Sequence, residues 1–382
     1  MIRKKTPVLF YSILFSFLLT YPLSFGQADS QKIQQLINSY YHSEDPGGVL
    51  AIKQPDKNEA LYFPYGMADL DNGTPIDKRT NFRMASLSKN FTAFAISQLL
   101  QDDYLKLDQP ISDFFPDLTG TQRNSTIGQL LNHHSGIPDY ENHIPDDQQE
   151  QVSDSDVYDL IKNLNQTYFT PGSDFRYSNT AFCLLTLVVE KTIQQPYADY
   201  MAQKVFDQQS LQNTSVYEKE NPPSHRAFGY HPESDTFKFA DQSLTSATKG
   251  DGSVYIAAPE FIKWAEMYIQ LFKEDSAYSQ FFDSNKTPIS DDIAYALGWF
   301  LLKDKTGNRY LVHSGETTGF NNIAIIGLDT EWVVSLFTNR DDLKIAPFFQ
   351  DILQHLEIEI VPDSEPLFSV LAKIYAHSYQ SE

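Results

Sequence analysis

Ser86 and Lys89 are the two residues whose types and spacing point most directly to covalent chemistry. They precede an apolar stretch, Phe91–Ile96, that predicts a helix, and side chains three positions apart share one face of a helix. A serine hydroxyl is a weak nucleophile until a nearby base takes its proton, and a buried lysine can serve as that base or hold a tyrosine ready to serve. The start of a helix also favours a developing negative charge. Because such Ser-x-x-Lys pairs also arise by chance on solvated helices, this pair needs support from other segments.

Two polar side chains lie two residues apart just before a second apolar run. Tyr177 and Asn179 occupy a predicted turn that leads into the run beginning at Ala181. In an extended turn such a pair points the same way, with a phenol that can carry a proton and an amide that can hold a substrate amide. The alternative is structural: Ser178 or Asn179 caps the helix and Tyr177 packs in the core.

A glycine interrupts the polar segment that follows a predicted strand. Tyr310–His313 favours a strand, and we expect the polar stretch that begins at Ser314 to end it as a loop. An isolated glycine such as Gly315 commonly marks a place where another backbone or a ligand comes close. The segment therefore predicts a backbone surface beside a site.

Together these segments resemble the three motifs of the penicillin-recognising serine hydrolases, and most closely those of class C β-lactamases, serine D,D-carboxypeptidases, D-aminopeptidases and related esterases. In chain order the motifs are Ser86-x-x-Lys89, Tyr177-x-Asn179 and His313-x-Gly315. Three further segments are similar to landmarks of that family: 126–138, 250–254 and 297–299. The resemblance runs from about Ile33 to about Leu356. It implies a β-lactamase/transpeptidase-like fold and an acyl-transfer reaction.

The resemblance also implies roles for individual residues. Ser86 would attack a carbonyl and form an acyl-enzyme, Lys89 would hydrogen-bond Ser86 and lower the pKa of Tyr177, and Tyr177 would shuttle the proton. How the role of base divides between Lys89 and Tyr177 stays open. Substrate binding would fall to Asn179 and to the third motif, which is formed by His313, Ser314 and Gly315. The backbone N–H groups of Ser86 and Glu316 would form the oxyanion hole, and the reaction would need no metal or cofactor.

The third motif departs from that of class C β-lactamases, which carry Lys-Thr-Gly there. His313 is mostly neutral at neutral pH, and the acidic Glu316 follows Gly315. Both features weaken the attraction for a substrate carboxylate, so we expect a peptide, a D-amino-acid amide or an ester as substrate. The alternatives are a true β-lactamase or a non-catalytic sensor of the same fold that binds peptidoglycan fragments or β-lactams.

Three other reactive side chains are interpreted as structural. His133 and His134 are adjacent, and adjacent side chains face apart on helices and strands, so we expect no metal pair. Cys183 lies in an apolar helix and is expected to be buried and inert.

Composition narrows the class of protein. The 382 residues include 29 Lys and Arg against 50 Asp and Glu, for a formal net charge of −21. Nucleic acid is therefore not expected as a partner, because binding phosphates requires a basic face. A single cysteine excludes an intramolecular disulfide and a cysteine-based zinc site. The expected partner is a small-molecule or peptide substrate.

The first 26 residues are typical of a secretory signal peptide. Arg3, Lys4 and Lys5 precede the uncharged apolar run Val8–Leu19, and small residues precede a cleavage site before Gln27. An apolar run of about a dozen residues is too short to span a bilayer. We expect an exported protein, periplasmic or extracellular, without a membrane span after cleavage.

The elements that must position the motifs form one interleaved unit. An amphipathic helix is predicted to begin near Ser30, and strands are predicted near both ends of the chain with helices between them. Short polar turns between the C-terminal strands favour antiparallel neighbours. The expected fold class is α+β: an antiparallel sheet flanked by helices within a hydrolase domain at 27–360, with a mainly helical lobe inserted at about 105–245. The tail, 361–382, is predicted to carry a short amphipathic helix.

Overall fold

The computed structural model describes residues 27–274, 276–360 and 365–379. The predicted signal peptide, 1–26, lies outside the described residues. Within the described ranges, none of the helices has the length and apolar character needed to cross a bilayer.

Apolar runs with alternating faces form the central sheet, in which every pair of neighbouring strands is antiparallel. Among the described residues this sheet has eight strands, in the order β10-β11-β12-β13-β14-β15-β1-β2. Their bounds are β1 Gly48–Lys53, β2 Leu61–Tyr65, β10 Thr287–Pro288, β11 Ile293–Ala296, β12 Trp299–Lys303, β13 Arg309–Thr317, β14 Phe320–Gly327 and β15 Val333–Thr338. Because β1 pairs with β15, both ends of the chain build one sheet.

Helices cover both faces of the sheet. Their bounds are α1 Gln27–Tyr40, α2 Ser88–Gln101, α3 Ile127–Leu131, α4 Asp154–Ile161, α5 Asn179–Ile193, α6 Tyr197–Tyr200, α7 Ala258–Glu274, α8 Ser276–Asn285, α9 Ile345–His355 and α10 Leu367–Tyr379. Along β1, Val49 packs into the core that includes α2 and α7, whereas Leu50 packs into the core that includes α1, α9 and α10. The period of two along a strand thus separates two apolar cores.

The segment between β2 and β10 also contains short strands. They are β3 Met67–Asp69, β4 Thr74–Pro75, β5 Asn81–Arg83, β6 Ser215–Val216, β7 Tyr230–Glu233, β8 Thr236–Phe239 and β9 Val254–Ala257. Single-turn 3-10 helices lie at Ala85–Leu87, Ile111–Asp113, Thr121–Asn124 and Tyr140–His143, and a π-helix lies at Met201–Phe206. The range expected to be mainly helical therefore includes β6 and the β7–β8 hairpin.

The expectation that the strand ends near His313 is wrong. β13 continues through Thr317, and Ser314 lies within it rather than in a loop. The polar residues extend the strand because they keep their pairing with β14, as the partners Gly315 and Asn322 illustrate. Polar composition predicted a loop here, but backbone pairing does not depend on the side chain.

Candidate active site

Ser86 sits on a tight turn that links a strand to α2. It lies in the 3-10 helix Ala85–Leu87, directly before α2. The preceding strand β5 pairs with β9, and the N–H of Met84 donates to the carbonyl of Val254 at 2.8 Å. Ala85 has a φ of 48°, a left-handed conformation that costs an L-residue on the order of 1 kcal/mol and is common at functional turns. The turn therefore presents Ser86 at the start of a 14-residue helix.

Lys89 directs its ammonium group at Ser86 and at two carbonyl oxygens. Its Nζ lies 3.0 Å from Ser86 Oγ, 2.8 Å from Asn179 Oδ1 and 3.0 Å from the backbone oxygen of Asp251. An ammonium has three N–H donors, so these contacts use all of them. Carbonyl oxygens only accept hydrogen bonds, and a neutral amine would therefore keep its donors on Asn179 and Asp251. Its lone pair would then face Ser86.

The surroundings of Lys89 favour that neutral form. Lys89 is fully buried, and burial lowers its pKa to about 8, while the negative charge of Asp251 limits the fall. Roughly a tenth of the side chains are then neutral at pH 7. A lysine with this pKa can accept a proton from a serine hydroxyl near neutral pH.

Asn179 links Lys89 to Glu141, a residue that the sequence analysis did not single out. While Asn179 Oδ1 accepts from Lys89, its Nδ2 donates to Glu141 Oε1 at 2.8 Å. Desolvation raises the pKa of Glu141 to about 7, although the hydrogen bond from Asn179 opposes the rise. Ser178 caps α5 by accepting from the N–H of Ala181, so the cap and the pair Tyr177–Asn179 exist together.

Tyr177 lies on the other side of Lys89, in an aromatic environment. Lys89 Nζ is 5.0 Å from the centre of the Tyr177 ring, and the Tyr177 hydroxyl is 3.4 Å from His313 Nε2. Burial, together with the charge of Lys89, lowers the pKa of His313 to about 3, so His313 is neutral. Its Nδ1 contacts the backbone oxygen of Ser314, which can only accept, and therefore carries the proton. Nε2 is then left to accept a hydrogen bond from Tyr177.

The third motif brings a strand edge beside Ser86. A Cβ on Gly315 would lie 2.1 Å from the carbonyl oxygen of Met84, so only glycine allows β13 to pass this close to the turn that carries Ser86. Among the described strands, β12 pairs with β13 only as far as Val312. The edge at His313–Thr317 therefore has backbone groups available to a ligand, including those of Glu316.

A cleft of about 80 Å³ opens at Ser86. It is lined by Arg83, Ala85, Ser86, Tyr140, Glu141, Asn179, Thr245, Thr248, Asp251, Gly252, Glu316 and Thr317. The Oδ1 of Asp251 is buried and has no hydrogen-bond partner among the described residues. Arg83 also lines the cleft but bonds to Ser246 and to the backbone oxygen of Gly252. The lining thus contains three carboxyl groups, those of Glu141, Asp251 and Glu316, and one basic side chain, that of Arg83.

The structure separates these site residues from the side chains interpreted as structural. His133 is fully buried, and its Nδ1 accepts from the N–H of Ser178 at 3.0 Å, so it supports the turn that carries Tyr177. Cys183 is buried and reduced. In the part of the chain that the structure describes, no three His, Cys, Asp or Glu side chains are placed to hold a metal ion.

Sequence comparison identifies relatives of the chain. The sequence model of the family described as Beta-lactamase matches residues 34–348. Penicillin-binding protein 4* of Bacillus subtilis (strain 168) is 27% identical over 313 residues, which cover 78% of this chain and 68% of that protein. Protein flp of Staphylococcus aureus (strain MRSA252) is 24% identical over 328 residues, which cover 83% of this chain and 63% of that protein. The chain thus spans about two thirds of the length of these curated relatives.

Solved structures share the fold. The D-amino acid amidase of Ochrobactrum anthropi SV3, in complex with L-phenylalanine amide, superposes with a TM-score of 0.74 at 23% identity, covering 87% of this chain and 98% of that one. A penicillin-binding protein of Bacillus halodurans gives a TM-score of 0.72 at 23% identity, covering 85% and 98%. The predicted β-lactamase/transpeptidase-like fold and the resemblance to penicillin-recognising serine hydrolases are confirmed. Because the family match runs from α1 to α9 and includes all three motifs, the chain belongs to the beta-lactamase family.

Proposed function

We propose that this chain is a serine hydrolase that cleaves an amide or an ester through an acyl-enzyme on Ser86. The observation that carries the proposal is the geometry at Lys89 Nζ, which lies 3.0 Å from Ser86 Oγ while two carbonyl oxygens hold its other donors. Of these three partners only the Ser86 hydroxyl has a proton to give, so a neutral Lys89 held in this way would accept the proton of Ser86.

The proposed reaction assigns each proton and bond. Neutral Lys89 takes the proton of Ser86 as Oγ attacks the substrate carbonyl carbon. The backbone N–H groups of Ser86 and Glu316 stabilise the oxyanion, and one such donor is typically worth on the order of 10²–10³ in rate. When the intermediate collapses, the leaving group departs with its electron pair and a proton from Tyr177. Water then attacks the acyl carbon and gives a proton to the Tyr177 phenolate, and Ser86 leaves the acyl group with the proton held by Lys89, which restores all three side chains.

The charge of the cleft supports a substrate with an amino group. Three carboxyl groups, those of Glu141, Asp251 and Glu316, line the cleft with one guanidinium, that of Arg83, whose donors are taken by Ser246 and Gly252; neutral His313 provides no further cation for a carboxylate. This disfavours penicillins and stem peptides, both of which carry a carboxylate, and it favours an amino-acid amide or ester. The name of the D-amino acid amidase from Ochrobactrum anthropi, a neighbour in fold, points to the same substrate class.

Export is part of the proposal. The pattern of basic, apolar and small residues in 1–26 predicts cleavage before Gln27 and a periplasmic or extracellular protein.

Two labels test the proposal on wild type and on Ser86→Ala. A fluorescent fluorophosphonate is expected to label wild type and not the variant, and a fluorescent penicillin is expected to label neither. Labelling of wild type by both probes would instead indicate a penicillin-binding enzyme or a β-lactamase. Labelling by neither probe would favour a non-catalytic sensor.

A further inference from the structure

The C-terminal helix α10 packs on the core beside the candidate active site. Its apolar face, formed by Leu367, Val370, Leu371 and Ile374, is buried in the same core as Tyr177. Four buried apolar side chains at helical spacing hold α10 in a defined position. The position of the next residue, Tyr375, is therefore set by the packing of the helix.

Tyr375 contacts the second and third motifs at once. Its ring meets the ring of Tyr177 edge to face, with centroids 5.0 Å apart at 81°, and that of Phe300 at 5.8 Å and 78°. Its hydroxyl lies 3.1 Å from Ser314 Oγ, within hydrogen-bond distance. Edge-to-face aromatic pairs at these separations are stabilising, so the three contacts fix the ring in one place.

The residues around Ser86 differ in their access to solvent. The cleft is lined by Glu141, Asn179 and Asp251 and by Glu316 and Thr317 at the end of β13, but not by Tyr177 or His313. Tyr177 is 2% exposed and His313 is fully buried. The group that would protonate the leaving group is thus nearly sealed, and Tyr375 packs directly against it.

We propose that Tyr375 is a specificity-determining residue that closes the side of the site where the leaving group receives its proton, so that among leaving groups that need this proton the enzyme releases ammonia or a small alcohol or amine rather than a peptide or an aryl amine. The inference rests on the function proposed above, because it places the leaving group by the proton that Tyr177 supplies. The leaving atom must come within hydrogen-bond reach of the Tyr177 hydroxyl when its bond to the acyl carbon breaks. Any large substituent on that atom would then meet the Tyr375 ring.

The test compares leaving groups of different size on one acyl group. D-alanine amide releases ammonia and D-alanine 4-nitroanilide releases an aryl amine, and methyl and benzyl acetate, which both release an alcohol, form the corresponding ester pair. The measured quantity is the ratio of kcat/KM for the large leaving group to that for the small one. Because this ratio is compared between variants, the different intrinsic reactivities of the two substrates cancel.

Tyr375→Ala is expected to raise this ratio by roughly tenfold or more, the range over which a misfit group in a pocket is rejected. Tyr375→Phe keeps the ring, loses the hydroxyl that contacts Ser314 Oγ, and is expected to keep the wild-type ratio. Tyr104→Ala removes a tyrosine that is 63% exposed and follows α2, and serves as the matched control with an unchanged ratio. Should Tyr375→Ala not fold, Tyr375→Leu keeps apolar contact with the helix and is expected to raise the ratio as well.

Three other results would overturn the inference. An unchanged ratio in Tyr375→Ala, with turnover that depends on Ser86, would mean that the leaving group lies elsewhere and would leave the proposed function intact. An equal rise for both substrates would mean that Tyr375 obstructs the whole site and does not select by size. No turnover of either pair by wild type or by any Tyr375 variant would overturn the proposed function, and the inference with it.

Discussion

On the Lys89 side of Ser86 the side chains are charged or carry amides, whereas on the Tyr177 side they are aromatic. Lys89, Asn179 and Glu141 form a chain of hydrogen bonds, and Asn179 and Glu141 line the cleft. Tyr177 and His313 lie among rings and are nearly sealed from solvent. Ser86 thus lies between a polar environment and an aromatic one.

The two environments affect the protonation of their titratable groups differently. On the charged side, partners of opposite sign keep the pKa of Lys89 near 8 against the effect of burial, so the lysine can exchange a proton near neutral pH. On the aromatic side, burial without a carboxylate partner lowers the pKa of His313 to about 3, so no cation forms there. In the proposed mechanism one side supplies the base, and the other supplies a neutral proton donor and a limit on the size of the leaving group.

Loss of the base is expected to have the largest effect. Lys89→Met removes the amine, and Lys89→Arg keeps a positive charge on a group that does not give up its proton. Both variants are expected to lose roughly 10³-fold or more in kcat/KM for D-alanine amide, which is in the range of general base catalysis. Thermal unfolding checks that each variant is folded. If Lys89→Arg kept most of the activity, charge alone would suffice and the role of base would pass to Tyr177.

Loss of the proton donor is expected to have a smaller effect that depends on the substrate. Tyr177→Phe is expected to lower kcat/KM by roughly 10²-fold for D-alanine amide, because ammonia must leave protonated. For 4-nitrophenyl acetate the loss should be much smaller, since 4-nitrophenolate leaves without a proton. Tyr295→Phe is the matched control, because it removes a hydroxyl from a neighbouring tyrosine whose ring lies 6.3 Å from that of Tyr177. Equal losses on both substrates would contradict the assignment of Tyr177.

The smallest expected effect is a shift in pH dependence. Since neutral Lys89 is the proposed base, kcat/KM is expected to rise with pH and to level off above about pH 8. The negative charge of Glu141 favours the charged form of Lys89. Glu141→Gln removes that charge and can still accept from Asn179, so the rise should move to lower pH with little loss of maximal rate. A rise that stayed in place or moved to higher pH would contradict the coupling between these residues.

Local patterns in the sequence were enough to predict the elements that carry the first two motifs and the start of the strand that carries the third. Ser86 lies on the turn that leads into α2 and Lys89 lies in the first turn of α2, and the Lys89 contact with Ser86 follows from their spacing. The antiparallel α+β arrangement was also readable, because short polar turns separate the C-terminal strands.

Contacts between residues that are far apart in the sequence could not be predicted from one sequence. Asp251 contacts Lys89 through its backbone oxygen, and a backbone contact cannot be predicted from the type of the residue. Glu141 lies on a single-turn 3-10 helix without a motif of its own, although the adjoining landmark 126–138 was a signal that this loop approaches the site. The amphipathic pattern of α10 predicted a buried face but could not indicate that Tyr375 would meet Tyr177.

The most direct test of the central claim is to identify the residue that becomes acylated. Wild type mixed with 4-nitrophenyl acetate, quenched in acid within the first turnover and digested, is predicted to carry the acetyl group on the peptide that contains Ser86. Ser97→Ala, which removes a different serine from α2, should be acetylated to the same extent, and Ser86→Ala should not be acetylated. An acetyl group on any other residue of wild type, or on the Ser86→Ala variant at the same rate, would contradict the account.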